Sequence, residues 1–94
     1  MEVRLTPVAR PHPNDQFVPT SADPRVLFGA CVRELRRRRG FTQEELADRA
    51  HLHRNYVGGV ERGERNISLI NIIELAHALS VNPGELLKGI VRAS

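Results

Sequence analysis

Residues 40–63, GFTQEELADRAHLHRNYVGGVERG, carry the start and stop signals of two short helices separated by a tight break. Thr42, followed three residues later by Glu45, forms a capping-box pattern, which is typical of the beginning of a helix. The apolar residues on the inward side of that helix are Leu46, Ala47 and Ala50. A second segment covers residues 54–62 and ends at Gly63, since glycine suits the position after a helix. The pattern predicts a helix, a short break and a second helix.

The second of these helices contains two adjacent glycines, Gly58 and Gly59. Each glycine costs a helix interior about 0.8–1.0 kcal/mol relative to alanine, so a strand and turn compete on local propensity. Val57 and Val60 keep the three-residue spacing of an inward helical face. We therefore predict a helix whose conformation the neighbouring helices impose.

A longer helix is predicted before this pair. Asp23 is a suitable N-cap, and Pro24 suits the first helical position, where its missing N–H costs nothing. The apolar stripe consists of Phe28, Val32 and Leu35. Gly40 suits the left-handed residue that ends the helix.

Two more helices are predicted after the pair. Ser68 caps a fourth helix, and Asn82-Pro83 begins a last short helix that extends to Leu87. The fourth helix carries, among its apolar residues, Leu69, Ile72, Leu75, Ala76 and Leu79. Five helices without a convincing strand predict an all-α, compact five-helix domain over residues 23–94.

The first 22 residues differ from the rest of the chain. They contain four of the six prolines, at positions 7, 11, 13 and 19, and their apolar residues follow neither helical nor strand periodicity. We predict an extended or disordered N-terminal arm over residues 1–22.

Composition restricts the class of protein. Ninety-four residues with 40% hydrophobic content suit one small domain, and no apolar stretch approaches the roughly 18–20 residues that span a membrane. Cys31 is the only cysteine, so a disulfide within the chain is excluded and a cytoplasmic location is expected. The net charge is +3, and Lys88 is the only lysine among 14 basic residues. An arginine-rich chain suits phosphates and guanine edges, although a GC-rich genome would produce the same bias.

A resemblance to a known family rests on several blocks in a fixed order. They are residues 40–47, Tyr56 and Val57, residues 60–63, residues 65–69, and residues 76–79. The sequence resembles the phage-repressor (Cro/Xre) type of helix-turn-helix protein over about residues 27–87. Residues 54–66 also resemble the controller proteins of restriction–modification systems. The resemblance implies that the second helix lies across a DNA backbone and that the third helix enters the major groove.

Candidate base-contacting residues lie near the start of the third helix. The spacing places Arg54, Asn55, Gly58 and Gly59 on its solvent face. Arg54 can bind guanine O6 and N7, and Asn55 can bind adenine or a phosphate. The two glycines either bring bare backbone close to thymine methyl groups or are a tolerated weakness of the helix.

Candidate phosphate contacts surround the third helix. They are Thr42, Gln43, Tyr56, Arg62, Arg65 and Asn66. The start of a helix favours anions, and the resemblance implies a phosphate contact for Gln43. The resemblance also implies a structural ion pair between Arg36 and Glu61. The neighbouring arginines, residues 37–39, point in several directions on a helix, so that some of them must be solvated.

The fourth helix has more apolar surface than one core stripe needs. The residues expected at a dimer interface are Ile67, Ile70, Ile73 and Ile90. The resemblance implies pairing through the fourth and fifth helices. A two-fold dimer would read half-sites about 34 Å apart, one turn of DNA.

No enzyme signature emerges from the sequence. Cys31 lies near an apolar stripe and is expected to pack as a small hydrophobic residue. His51 and His53 flank Leu52 without the thiolates or carboxylates of a zinc site. No metal, cofactor or catalytic residue is predicted.

The sequence thus predicts a non-enzymatic transcriptional regulator that binds double-stranded DNA as a homodimer. Control of a restriction–modification operon and of its own gene is the sharpest form, and RNA polymerase is a candidate partner if the site lies just upstream of a promoter. Alternatives are an antitoxin-type autorepressor and a protein-interaction module that has lost DNA binding.

Overall fold

A computed structural model describes residues 23–90 of the chain. Its helices are α1 (Pro24–Arg39), α2 (Gln43–Ala50), α3 (Arg54–Glu61), α4 (Leu69–Leu79) and α5 (Pro83–Leu87). Because this range contains five helices and no strand, the all-α, five-helix prediction is confirmed. The predicted arm, residues 1–22, and the end of the predicted domain, residues 91–94, lie outside the described residues, so both boundaries stay predictions.

Helix α1 begins and ends at its predicted signals, and helix α2 begins at its predicted cap. The Asp23 carboxylate accepts a hydrogen bond from the backbone N–H of Arg25, and the hydrogen bonds from Arg25 lower the pKa of Asp23. Gly40 ends α1 in the left-handed region at φ 74°. Both hydrogen bonds of the capping box between Thr42 and Glu45 are present at the start of α2.

Helix α3 includes both glycines, as predicted, and its N-cap is His53. The imidazole Nδ1 of His53 accepts a hydrogen bond of 3.0 Å from the backbone N–H of Asn55. This cap was not predicted, because histidine is not among the residues that commonly cap helices, and His53 was weighed only as a metal ligand. The helix ends one residue earlier than predicted, with Arg62 as its C-cap.

A single core joins the five helices. The buried apolar residues are Phe28, Val32, Leu46, Ala47, Ala50, Val57, Val60, Leu75, Ala76, Ala78, Leu79 and Leu86. Helices α1 and α3 meet closely at Gly29, where an added Cβ would lie 2.2 Å from the carbonyl oxygen of Val60. Leu69, one of the apolar residues named for α4, is 69% exposed. Leu69 is the first residue of its helix, and no other helix within residues 23–90 covers it.

The arginine run of α1 is divided among structural roles. Arg39 donates a 2.8 Å hydrogen bond from Nε to the carbonyl oxygen of Leu79, which satisfies the end of α4. Arg38 forms an exposed ion pair with Glu34 at 2.9 Å. Arg36 turns towards α3 and forms an ion pair with Glu61. The basic run therefore does not act as one charged patch.

Candidate nucleic-acid interface

The first turns of α2 and α3 line one open groove of about 490 Å³. The lining residues are Thr42, Gln43, Glu44, Arg54, Asn55, Gly58 and Arg62. Helix N-termini carry unpaired N–H groups and the positive end of the helix dipole, so they favour negatively charged ligands. The structure thus brings together three of the four predicted base-contacting residues and three of the six predicted phosphate contacts: Arg54, Asn55 and Gly58 from the first set, and Thr42, Gln43 and Arg62 from the second.

Arg54 and Asn55 lie at the exposed start of α3. The backbone N–H of Asn55 is held by the His53 cap. The side chain of Arg54 forms an ion pair with Glu44, with 3.5 Å between Nη1 and Oε1. Both residues line the groove, where their side-chain N–H groups can donate hydrogen bonds to a ligand.

The prediction that Gly58 and Gly59 lie on the solvent face of α3 as bare backbone is wrong. Both residues are buried, because arginine side chains lie across them. A Cβ on Gly58 would meet Arg62 Nη1 at 3.1 Å, and a Cβ on Gly59 would meet Arg65 Nε at 3.0 Å. The absent side chains leave room for these two arginines on the outer surface of α3.

Gln43 is held from inside the protein. Its Nε2 donates a hydrogen bond of 2.9 Å to Glu61 Oε1. The same carboxylate accepts from Arg36, with Nε to Oε2 at 2.6 Å and Nη2 to Oε1 at 3.1 Å. The side chains of Arg36 and Glu61 are only 12% and 3% exposed. The ion pair implied by the resemblance is therefore present, and it also orients a side chain that lines the groove.

Tyr56 is held from α4. Asn71 Nδ2 donates a hydrogen bond of 3.1 Å to the tyrosine hydroxyl. The guanidinium of Arg65 lies 5.3 Å from the centre of the tyrosine ring, a cation–π contact. No sequence pattern pointed to Asn71, because the contact joins residues 15 positions apart on different helices.

The Arg62 side chain lines the groove and forms an ion pair with Glu64. Its Nε donates a hydrogen bond of 2.9 Å to Glu64 Oε2. A second hydrogen bond joins Arg62 Nη2 to Glu64 Oε1 at 3.3 Å. The two hydrogen bonds lower the pKa of Glu64 and raise the pKa of Arg62. Asn66, the remaining predicted phosphate contact, is exposed in the loop between α3 and α4.

The predicted dimer residues divide into two pairs. Ile70 and Ile73 are 65% and 45% exposed on α4. Ile67 and Ile90 are half-buried and pack against the core, where they line a shallow apolar groove. Of these four residues, Ile70 and Ile73 are exposed, and Ile67 and Ile90 are not.

Cys31 has the environment of a packed thiol. It is half-buried, and its Sγ donates to the carbonyl oxygen of Glu85 at 3.4 Å. Burial raises the pKa of this thiol, and the Glu85 charge adds to the effect. No helix within residues 23–90 is long and apolar enough to span a membrane. The same range holds no group of three or more His, Cys, Asp or Glu residues that could bind a metal ion.

Comparisons with known proteins agree with this architecture. A helix-turn-helix family model (HTH_3) matches residues 32–86. The control protein C.BamHI of Bacillus amyloliquefaciens is 47% identical over 64 residues, which cover 67% of this chain and 79% of the relative.

Two solved structures are similar as well. The restriction–modification controller protein C.AhdI of Aeromonas hydrophila has a TM-score of 0.65 and 56% identity, covering 66% of this chain and 94% of that protein. A hypothetical transcription factor from Neisseria has a TM-score of 0.67 and 43% identity, covering 69% and 73% of the two chains. The chain therefore belongs to the helix-turn-helix family of Cro/Xre type, as a DNA-binding transcription regulator whose relatives include restriction–modification controller proteins.

Proposed function

We propose that the protein binds an operator in double-stranded DNA as a homodimer, with α3 in the major groove. The observation that carries the proposal is the groove between α2 and α3, where exposed Arg54 and Asn55 lie beside two helix N-termini. The arginine offers two donors to one guanine, and the helix ends offer N–H groups to phosphates. Such a surface provides both base recognition and anchoring to the backbone.

The proposed contacts divide into two sets. Arg54 and Asn55 contact bases, and Gly58 and Gly59 contribute by seating two arginines against α3. The phosphate-contacting set consists of Thr42, Gln43, Tyr56, Arg62, Arg65 and Asn66. The backbone N–H of Thr42 is occupied by Glu45, so its contact would use the hydroxyl hydrogen.

Dimer formation belongs to the proposal because one short helix reads only a few base pairs. The exposed apolar side chains of Ile70 and Ile73 on α4 support an interface there, with Ile67 and Ile90 at its inner edge. A two-fold pair places the two copies of α3 on successive turns of the same DNA face.

The regulated genes form the finest part of the proposal. Similarity to two controller proteins supports control of a restriction–modification operon and of the protein's own gene. The protein would act by occluding a promoter, or by recruiting RNA polymerase from a site just upstream. The relatives that support the proposal are regulators, and we propose no catalytic activity.

Selection of bound duplexes from a random DNA library tests this proposal. We expect an enriched sequence with two-fold symmetry, and binding to it should be lost in Arg54→Ala. The control is Arg38→Ala, which removes the same charge from an exposed ion pair on α1. Affinity measured at two salt concentrations should fall as salt rises, with a slope set by the number of phosphate contacts.

Other outcomes separate the alternatives. Binding without sequence preference would contradict the proposal and favour a protein-interaction module. An enriched operator together with co-purification of a small toxic partner would support an antitoxin-type autorepressor.

A further inference from the structure

The arginine proposed to read bases already has a partner in the free protein. Arg54 Nη1 lies 3.5 Å from Glu44 Oε1, and both side chains are about two-thirds exposed. Glu44 belongs to the first turn of α2, and Arg54 begins α3, so the pair crosses the groove. A carboxylate on a surface proposed to contact DNA repels the phosphates, so Glu44 must offer a compensating advantage for binding.

The geometry of the Arg54 guanidinium provides this advantage. Arginine has five N–H donors in a planar fork, and Glu44 faces one terminal nitrogen. The edge formed by Nε and Nη2 is left for a second ligand with two acceptors. Guanine presents such a pair of acceptors in O6 and N7. A phosphate also binds arginine, and it does so most readily when no other partner holds the guanidinium.

We infer that Glu44 determines sequence specificity by positioning Arg54. The carboxylate holds the guanidinium by one nitrogen, keeps its other edge available for guanine, and competes with the phosphates of unrelated DNA. The inference rests on the proposed function, because it requires that α3 meets DNA bases. Glu44 acts through Arg54 and needs no base contact of its own.

A second arginine provides an internal comparison. Arg62 is paired with Glu64 through two hydrogen bonds of 2.9 and 3.3 Å, and both side chains are more than half exposed. Arg62 is proposed to contact phosphate, which every DNA sequence offers. Removing the Glu64 charge should therefore strengthen binding to all sequences alike, whereas removing the Glu44 charge should favour unrelated DNA.

The test compares three variants that each remove one negative charge: Glu44→Gln, Glu64→Gln and Glu34→Gln. Glu34 pairs with Arg38 on α1, outside the groove, and is the remote control. The affinity of the full chain is measured for the selected operator duplex and for a scrambled duplex of the same composition. Each measurement is repeated over a range of salt concentrations.

For Glu44→Gln we expect affinity for the scrambled duplex to rise about two- to fivefold, the range of exposed ion pairs. Its salt slope on that duplex should steepen by about 0.9, since the released Arg54 gains one phosphate. Operator affinity should rise less, so the ratio of operator to scrambled affinity falls. Glu64→Gln should raise both affinities equally, and Glu34→Gln should change neither.

The two failures are distinct. If the wild-type protein shows no preference for any duplex, the proposed function and this inference fail together. If the wild type prefers its operator but Glu44→Gln keeps the same ratio as Glu64→Gln, only the role of Glu44 is overturned.

Discussion

At Gly58 and Gly59, the absence of side chains decides where two arginines lie. Arg62 crosses the first glycine, and Arg65 crosses the second while its guanidinium faces the ring of Tyr56. The cost is local, since each glycine weakens a helix by about 0.8–1.0 kcal/mol relative to alanine. The two glycines let the side chains of Arg62 and Arg65, which follow α3 in the chain, lie on the outer surface of this helix.

Alanine at these two positions should have unequal effects. We expect Gly58→Ala to increase the free energy of unfolding by up to about 1 kcal/mol, because only the movable end of Arg62 must shift. Gly59→Ala should increase the free energy of unfolding by a smaller amount, because the methyl group would lie 3.0 Å from Nε and 3.3 Å from Cγ of Arg65, so that more of this side chain must move. Urea unfolding followed by circular dichroism measures both values. Equal gains would show that the seat of Arg65 is as adaptable as that of Arg62.

Three helices are joined by one buried carboxylate. Glu61 of α3 accepts hydrogen bonds from Arg36 of α1 and from Gln43 of α2. Arg36 also donates from Nη1 to the carbonyl oxygen of Phe41 at 2.8 Å, which fixes the turn between α1 and α2. The relative position of α2 and α3, and with it the shape of the groove, depends on this network.

Breaking the network should be costly. We expect Arg36→Met to lower the free energy of unfolding by about 3–5 kcal/mol, because it leaves the Glu61 charge buried without its partner. The matched control is Arg38→Met, which removes an exposed pair with Glu34 and should cost less than about 1 kcal/mol. Urea titrations of the two variants measure the difference. Similar losses would mean that the carboxylate finds other compensation.

At the scale of the whole molecule, several apolar side chains along α4 lie outside the core that residues 23–90 form. Leu69, Ile70 and Ile73 are all substantially exposed at the first two turns of this helix. Exposed aliphatic residues that cluster in this way are typical of a surface that meets a partner. A second copy of the chain is the partner that the proposed function requires.

Placing a charge in this cluster should separate the copies without unfolding them. We expect Ile70→Lys to be monomeric in sedimentation velocity at concentrations where the wild type is a dimer, with an unchanged circular dichroism spectrum, because Ile70 is 65% exposed. Glu34→Gln gives the same change in net charge on α1 and should remain a dimer. A dimeric Ile70→Lys protein would place the interface elsewhere.

The sequence by itself determined four of the five helices, because their start signals and apolar spacing act within one or two turns. Asp23, Thr42, Ser68 and Gly40 act as predicted, and the helix through Gly58 and Gly59 forms despite its weak propensity. Only the tertiary structure decided that Glu61 orients Gln43, that arginines cover the two glycines, and that Leu69 is exposed. These features depend on the packing of residues far apart in the chain, and no local pattern of residue types encodes such distances.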